Sequence, residues 1–182
     1  MKSIEDILKD RKATSKDALE VFDLLEMVPV DFMIGRWKGF EIDSNHQMDG
    51  LLAATGWYGK LFLNPEEVHP LLFYTKNHTE LYSVNPRIVP MHMRFPKSGV
   101  VGILMRLAKP FLQTKKANAR LRMIEYRNRI TATMCYDEKA ILDHFAKIDE
   151  NRVMGIMDLK GVAKPYIFIL ERDDDSDLKH NI

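Results

Sequence analysis

The residues best suited to chemistry lie in the second half of the chain, where Asp143 is followed directly by His144. A carboxylate beside an imidazole is a common pairing for general acid–base catalysis. Adjacent residues on a strand point to opposite faces, however, so the two side chains need not act together. His144 stands among apolar neighbours, which also fits a structural histidine held by a hydrogen bond.

Three further candidates carry weaker signals. Glu125 and Arg127 would share one face of a strand and could form an ion pair. The run 91–93 reads Met-His-Met, but it has no second histidine or cysteine nearby, so we expect no metal site there. Cys135 is the only cysteine, which excludes an internal disulfide and agrees with a reducing compartment.

These residues must be positioned by the surrounding elements, and two glycine-bracketed units organise them. If residues 32–42 are extended, Gly35, Trp37 and Gly39 share one face. Glycine inside a strand often marks a bulge, a bend or a close approach, and a central indole can close a barrel or line its cavity. The second unit places Trp57 between Gly56 and the glycine at 59. We therefore predict that Trp37 is buried and required for the fold.

Periodicity predicts an amphipathic helix over residues 15–28, followed by short strands. The predicted strands cover residues 32–42, 56–63, 71–75, 80–84, 118–126, 130–136, 142–148, 152–159 and 166–172. A short helix is expected within residues 100–112, and residues 85–96 are expected to be irregular because they hold three prolines. Many short strands with tight turns favour an antiparallel β-barrel, since closure removes exposed edges. The fold class predicted is mainly β.

The matching motifs then point to a family. Residues 34–74 resemble the domain named for its Gly-x-Trp-x-Gly motif, through Gly35-Arg36-Trp37-Lys38-Gly39, Asp49-Gly50-Leu51-Leu52 and Gly56-Trp57-Tyr58-Gly59-Lys60. Residues 123–172 resemble the uncharacterised domain that habitually follows it, through Glu125-Tyr126-Arg127, Asp143-His144-Phe145 and Met157-Asp158-Leu159-Lys160-Gly161. The resemblance implies a lipocalin-like or calycin-like barrel and a family without an established activity. More loosely, the motif resembles the haem-binding nitrobindin barrels, for which His144 would be the axial ligand.

The expected organisation is an N-terminal helical segment over residues 1–30, a single barrel over 31–172 and a disordered acidic tail over 173–182. Within the barrel, residues 31–90 form the Gly-x-Trp-x-Gly part and residues 115–172 the C-terminal part. The N-terminal helix could lie across a barrel mouth or dock on a second subunit, so a homodimer remains open.

Composition limits the partners. The sequence has 182 residues, a net charge of +1, no apolar run long enough for a membrane span and no secretory signal, so we expect one cytoplasmic domain. Eight Lys or Arg residues stand between positions 106 and 129, but no nucleic-acid motif accompanies them, and a solvated face is expected.

The function predicted first is a barrel that binds a small apolar or amphipathic molecule without a resident cofactor or metal. An enzyme acting on such a molecule, or on a carboxylate, and a haem-binding barrel are the alternatives. The residues predicted to supply the ligand site are Trp37, Trp57, Tyr126, Arg127, Asp143, His144 and Asp158.

Overall fold

A computed structural model describes residues 2–89, 107–108 and 110–181 of the chain. Helices α1 (Ile4–Asp10) and α2 (Ser15–Leu24) precede the strands, and α3 (Leu51–Thr55) lies between two of them. The strands are β1 (Glu26–Met27), β2 (Gly35–Glu41), β3 (Trp57–Asn64), β4 (Glu67–Tyr74), β5 (Glu80–Val84), β6 (Gln113–Thr114), β7 (Ala119–Tyr126), β8 (Arg129–Tyr136), β9 (Ile141–Asp149), β10 (Arg152–Leu159), β11 (Tyr166–Arg172) and β12 (Lys179–Asn181).

Eight of these strands close into an antiparallel barrel in the order β4-β3-β2-β11-β10-β9-β8-β7. The last strand returns to the first, since Val68 of β4 pairs with Ala119 of β7. The Asn118 amide donates to the Val68 carbonyl at 3.1 Å, and the Leu121 amide donates to the Pro65 carbonyl at 2.8 Å. Closure leaves this part of the sheet without an unpaired edge, and the predicted β-barrel is confirmed.

The far half of β4 pairs with β5 instead of β7, so the sheet branches there. Strands β6 and β12 extend this branch by pairing with β5. The branch lies at the end of the barrel where β3 begins, which is also the end that α3 adjoins. The sheet therefore departs from a regular eight-stranded closure at this end.

Alternation along the strands separates an inner from an outer core. On β2, Trp37 faces inward while Arg36 faces outward, as the sequence predicts. Trp37 is fully buried, and its indole N–H donates to the Met33 carbonyl at 2.8 Å. That carbonyl belongs to a 3-10 helix, Val30–Met33, which stands where the sequence predicted the start of a strand. The closed end of the barrel is built around this contact.

The N-terminal helices cover the outer face of the barrel. Ser3 and Asp6 form a capping box at the start of α1, and Thr14 caps α2. The apolar side chains of both helices pack on outward-facing residues of β9, β10 and β11, which are Ala146, Met154, Ile156, Ile167 and Ile169. No helix in the described residues has the length and apolar character that a membrane crossing requires.

The predicted helix over residues 15–28 ends early, at Leu24. Leu25 is extended, and the chain then forms β1, which pairs with Lys147 and Ala146 of β9. The Val28 amide donates to the Thr131 hydroxyl at 3.2 Å. Backbone pairing with the barrel therefore replaces the last helical turn, although the apolar periodicity continues through it.

The acidic tail is docked, and the prediction that residues 173–182 are disordered is wrong for residues 173–181. Arg36, 6% exposed, donates from Nε to the Asp173 carbonyl at 2.9 Å, from Nη1 to the Leu178 carbonyl at 2.7 Å and from Nη2 to the Ser176 carbonyl at 2.6 Å. The tail then adds β12 beside β5. Composition failed here because charge-assisted hydrogen bonds from the buried Arg36 guanidinium to backbone carbonyls help to hold the segment, together with Leu178, which packs on the apolar cluster around Tyr58 and Leu81.

Three predictions fall wholly or partly outside the described residues. The Met-His-Met run at 91–93 lies there, as does most of the helix expected within residues 100–112 and part of the irregular region expected over 85–96. At the described ends of these stretches, Pro86–Ile88 forms a 3-10 turn and residues 110–112 are helical.

Candidate ligand-binding cavity

A cavity of about 150 Å³ lies inside the barrel, at the end where the sheet branches and α3 adjoins it. Its walls come from β3, β4, β8, β9, β10 and β11 together with α3, so residues distant in sequence meet there. The described side chains that line it are Met48, Leu51, Leu52, Thr55, Trp57, Lys60, Leu71, Phe73, Ile88, Val89, Leu112, Tyr136, Asp143, Met157, Tyr166 and Phe168. Most are apolar, and Lys60 and Asp143 carry the only ionisable groups among them besides the two tyrosines.

A bulge in β3 brings Trp57 and Lys60 to the same interior. The pairing with β4 shifts register on both sides of Gly59, so Trp57, Lys60 and Phe62 face inward although strict alternation would separate the first two. Gly59 has φ +154°, and a Cβ there would lie 2.0 Å from the Trp37 carbonyl oxygen. The second glycine of the Gly-Trp-Tyr-Gly unit is therefore needed to seat the lysine inside the barrel.

Gly39, the second glycine of the first unit, makes room for the Trp57 indole. A Cβ on Gly39 would lie 2.2 Å from the outer edge of that ring. The ring also packs edge-to-face on Phe168, with centroids 6.2 Å apart. Trp57 thus lies between two pockets. It lines the cavity, and it also lines a second, more polar pocket of about 360 Å³ beside Arg11, Glu41 and Asp49.

Lys60 and Asp143 form a buried ion pair in the cavity wall. Their side chains are 3% and 1% exposed, and Nζ lies 2.8 Å from Oδ2. Nζ also donates to the Pro70 carbonyl at 3.2 Å. Burial raises the pKa of the Asp143 carboxyl, and the nearby Lys60 charge only partly opposes this effect.

Aromatic rings surround the ammonium group. Nζ lies 5.0 Å from the Phe168 centroid and 5.8 Å from the centroids of Trp57 and Tyr136. These distances fall in the range of cation–π attraction, which partly replaces the lost hydration of the ammonium. Burial, together with the Asp143 charge, raises the pKa of the Tyr136 phenol well above its ordinary value, so this hydroxyl stays protonated at neutral pH.

Two polar groups in the cavity wall lack hydrogen-bond partners among the described residues. The Trp57 indole nitrogen is buried and donates to none of them. At Asp143, Oδ2 is held by Lys60 Nζ in the ion pair, and Oδ1 accepts no hydrogen bond from the described residues. Buried polar groups in folded proteins are nearly always paired, so an unpaired donor and an unpaired acceptor on two residues that line one cavity point to a ligand or water.

The predicted site residues divide into three groups. Trp57 and Asp143 line the cavity, as predicted. Trp37 is buried in the same inner core, outside the cavity lining. The remaining four lie outside the barrel interior, so the prediction that they share one cavity with Trp57 is wrong: they are Tyr126, Arg127, His144 and Asp158.

His144 lies on the outer face of β9, opposite Asp143. Its Nδ1 lies 2.9 Å from the Thr133 hydroxyl, and its ring stacks on Tyr126 with centroids 3.9 Å apart. Burial lowers the pKa of His144 to about 4, so the imidazole is neutral at pH 7. This is the structural histidine that the sequence left as an alternative, and it belongs to the seam between barrel and helices.

Arg127 and Asp158 lie at the surface. Arg127 stands in the β7–β8 turn with a positive φ and makes a two-pronged ion pair with Asp23 of α2. Asp158 is exposed on β10, one position beyond the inward-facing Met157. Neither side chain lines the cavity.

The haem alternative does not fit this interior. His144, the axial ligand considered from the sequence, points away from the cavity. A space of about 150 Å³ accommodates a molecule of roughly benzene size, and a porphyrin is several times larger. Among the described residues, no three His, Cys, Asp or Glu side chains are grouped so that they could hold a metal ion.

The residues that sequence reasoning missed are Lys60, Tyr136 and Phe168. Lys60 stands within the quoted Gly-Trp-Tyr-Gly-Lys motif, but it is not among the predicted site residues, and regular period-two alternation from Trp57 would place it on the outer face. Glycine at position 59 was the signal for the bulge that reverses this assignment.

Comparisons with known proteins agree with the motifs. Residues 20–77 match the family model described as GXWXG protein, and residues 117–172 match a domain of unknown function, DUF4334. The suspected pair of domains is confirmed in that order. A crystal structure of a protein from Thermomonospora curvata is similar, with a TM-score of 0.71, 29% sequence identity, and coverage of 93% of this chain and 95% of that one. No curated protein matches the chain.

Proposed function

We propose that this chain, in which a GXWXG region is followed by a DUF4334 region, binds a small, neutral, amphipathic molecule inside the barrel. The observation that carries the proposal is that two residues lining an otherwise apolar cavity, Trp57 and Asp143, have buried polar atoms without a hydrogen-bond partner among the described residues. Small-molecule sites typically combine an apolar lining with a few placed polar groups in this way.

The net charge of the cavity lining favours a neutral ligand. The Lys60 ammonium and the Asp143 carboxylate cancel, so the cavity carries no net charge to offset a ligand ion. Bringing an anion or a cation into such a space costs its desolvation without an unpaired counter-charge. A carboxylate ligand, which the sequence left open, is therefore disfavoured.

The open atoms specify the polar end. The Trp57 indole can only donate, and a carboxylate oxygen of Asp143 can only accept while it is ionised. A hydroxyl group does both at once, because it accepts from the indole and donates to the carboxylate. The ligand class is thus a compact hydrocarbon, of about benzene size, with one hydroxyl group.

The two tryptophans provide a test with an internal control. A ¹H–¹⁵N spectrum contains two indole N–H signals, from Trp57 and from Trp37, whose N–H is already bound to the Met33 carbonyl. Titration with benzyl alcohol should move the Trp57 signal downfield and leave the Trp37 signal in place. Trp57→Phe assigns the signal.

Toluene is the matched control, because it fills the same space without a hydrogen-bonding group. It should perturb the cavity methyl groups but cause no downfield shift of the Trp57 indole. If benzyl alcohol moves neither the indole signal nor the methyl signals of Leu71 and Met157 at millimolar concentration, the proposed function is wrong.

A further inference from the structure

We propose that Lys60 is a reactive amine that forms an imine with neutral aldehydes in the barrel cavity. The inference rests on the proposed function, because the aldehyde must first occupy the cavity. Its basis is the position of Nζ: the side chain is 3% exposed, lines the cavity and lies 2.8 Å from the Asp143 carboxylate.

Lys60 differs from a surface lysine in what surrounds its amine. Phe168, Trp57 and Tyr136 surround Nζ in place of water. Lysine nucleophiles that react with carbonyl groups are activated by such apolar pockets. Lys60 also lines a cavity of about 150 Å³, whereas an ion pair with a purely structural role needs no adjacent cavity.

Asp143 supplies the proton transfers that the reaction requires. Its raised pKa makes it a better proton acceptor than an ordinary aspartate. The carboxylate takes a proton from the Lys60 ammonium, and the neutral amine attacks the aldehyde carbon to form a C–N bond. After a proton moves from nitrogen to oxygen, the product is a carbinolamine.

Protonated Asp143 then returns its proton to the carbinolamine hydroxyl. The C–O bond breaks, water leaves, and the nitrogen lone pair forms the C=N bond of an iminium paired with the Asp143 carboxylate. In sum, one ammonium and one aldehyde give one iminium and one water, and the carboxylate is regenerated. The cavity therefore keeps its neutral charge balance throughout.

The test is reductive trapping with benzaldehyde and sodium cyanoborohydride, followed by peptide mass spectrometry. We expect a benzyl group on Lys60 at substoichiometric aldehyde, ahead of Lys16, whose side chain is 84% exposed. Excess benzyl alcohol should block labelling of Lys60 and leave labelling of Lys16 unchanged. Asp143→Asn should slow the labelling of Lys60 by about 100-fold, because it removes the proton relay.

The outcomes separate the imine from the binding function. If benzyl alcohol shifts the Trp57 indole signal but Lys60 is labelled no faster than Lys16, the imine is overturned and the binding function stands. If benzyl alcohol neither shifts the indole signal nor protects Lys60, both proposals fall. Lys60→Arg, which retains the charge but cannot form the imine, should lose the cavity label; a cavity label that persists in this variant also overturns the proposal.

Discussion

The buried Lys60–Asp143 pair allows a prediction that separates its role in function from its role in stability. Removing one partner leaves a buried charge without compensation, which typically costs about 3–5 kcal/mol. Both side chains are almost completely buried, so little solvent screening reduces this cost. Replacing both partners by apolar side chains of similar size removes the desolvation cost and the attraction together, and is often neutral.

We therefore expect Lys60→Met to lower the free energy of unfolding at pH 7 by about 3–5 kcal/mol, and Asp143→Val to lower it by a similar amount. The double variant should lie within about 2 kcal/mol of the wild type, so the two effects are strongly non-additive. Urea denaturation at pH 7, with the midpoint and slope compared among all four proteins, measures this coupling.

The pH dependence of stability in Lys60→Met provides a second test. In Lys60→Met both influences that lower the pKa of Asp143 are gone, and desolvation, which raises it, remains. A folded-state pKa above the unfolded value means that the native protein binds more protons, so stability falls as pH rises from the unfolded pKa through the folded one. Lys60→Met should therefore be least stable at the alkaline end of this window.

A double variant that loses the sum of the two single losses would refute this reasoning, because additive losses mean that the two side chains are not energetically coupled. The same double variant should fold and yet give no downfield shift of the Trp57 indole with an alcohol. That combination would show that the barrel keeps the pair for its ligand.

Three further predictions concern the rest of the chain. Trp37→Ala should cost about 3–5 kcal/mol in urea denaturation, since it removes a fully buried indole, and an unchanged midpoint would contradict the closed-end packing. Truncation after Asp173 should cost at least about 2 kcal/mol, because Arg36 loses its charge-assisted bonds to the Ser176 and Leu178 carbonyls; retained stability would show that the tail contributes nothing. His144 has its pKa lowered from 6.5 to about 4, so wild-type stability should fall by about 3 kcal/mol relative to His144→Gln as pH drops through that window, and parallel stability curves would contradict this.

Much of the fold could be predicted because it depends on local alternation. The inward set on β2, the placement of Asp143 and His144 on opposite faces of their strand, and the barrel itself follow from period two and from the turns. The capping box at Ser3 follows from two residues three positions apart.

The position of Lys60 and the docking of the tail could not be predicted from the alternation of apolar residues, for two physical reasons. The bulge at Gly59 reverses the facing of one strand, so the position of Lys60 depends on a single irregular residue. The docked tail depends on Arg36, which captures carbonyls from a segment more than 130 residues away. Neither contact leaves a periodic signal in the sequence.

The measurement that tests the central claim most directly is a crystal structure of the wild-type protein soaked with 4-bromobenzyl alcohol, with anomalous data collected for bromine. The account predicts a bromine peak inside the barrel beside Leu71 and Met157, with the hydroxyl between the Trp57 indole and the Asp143 carboxylate. Bromine bound only on the outer surface, with no ordered density in the cavity, would contradict it.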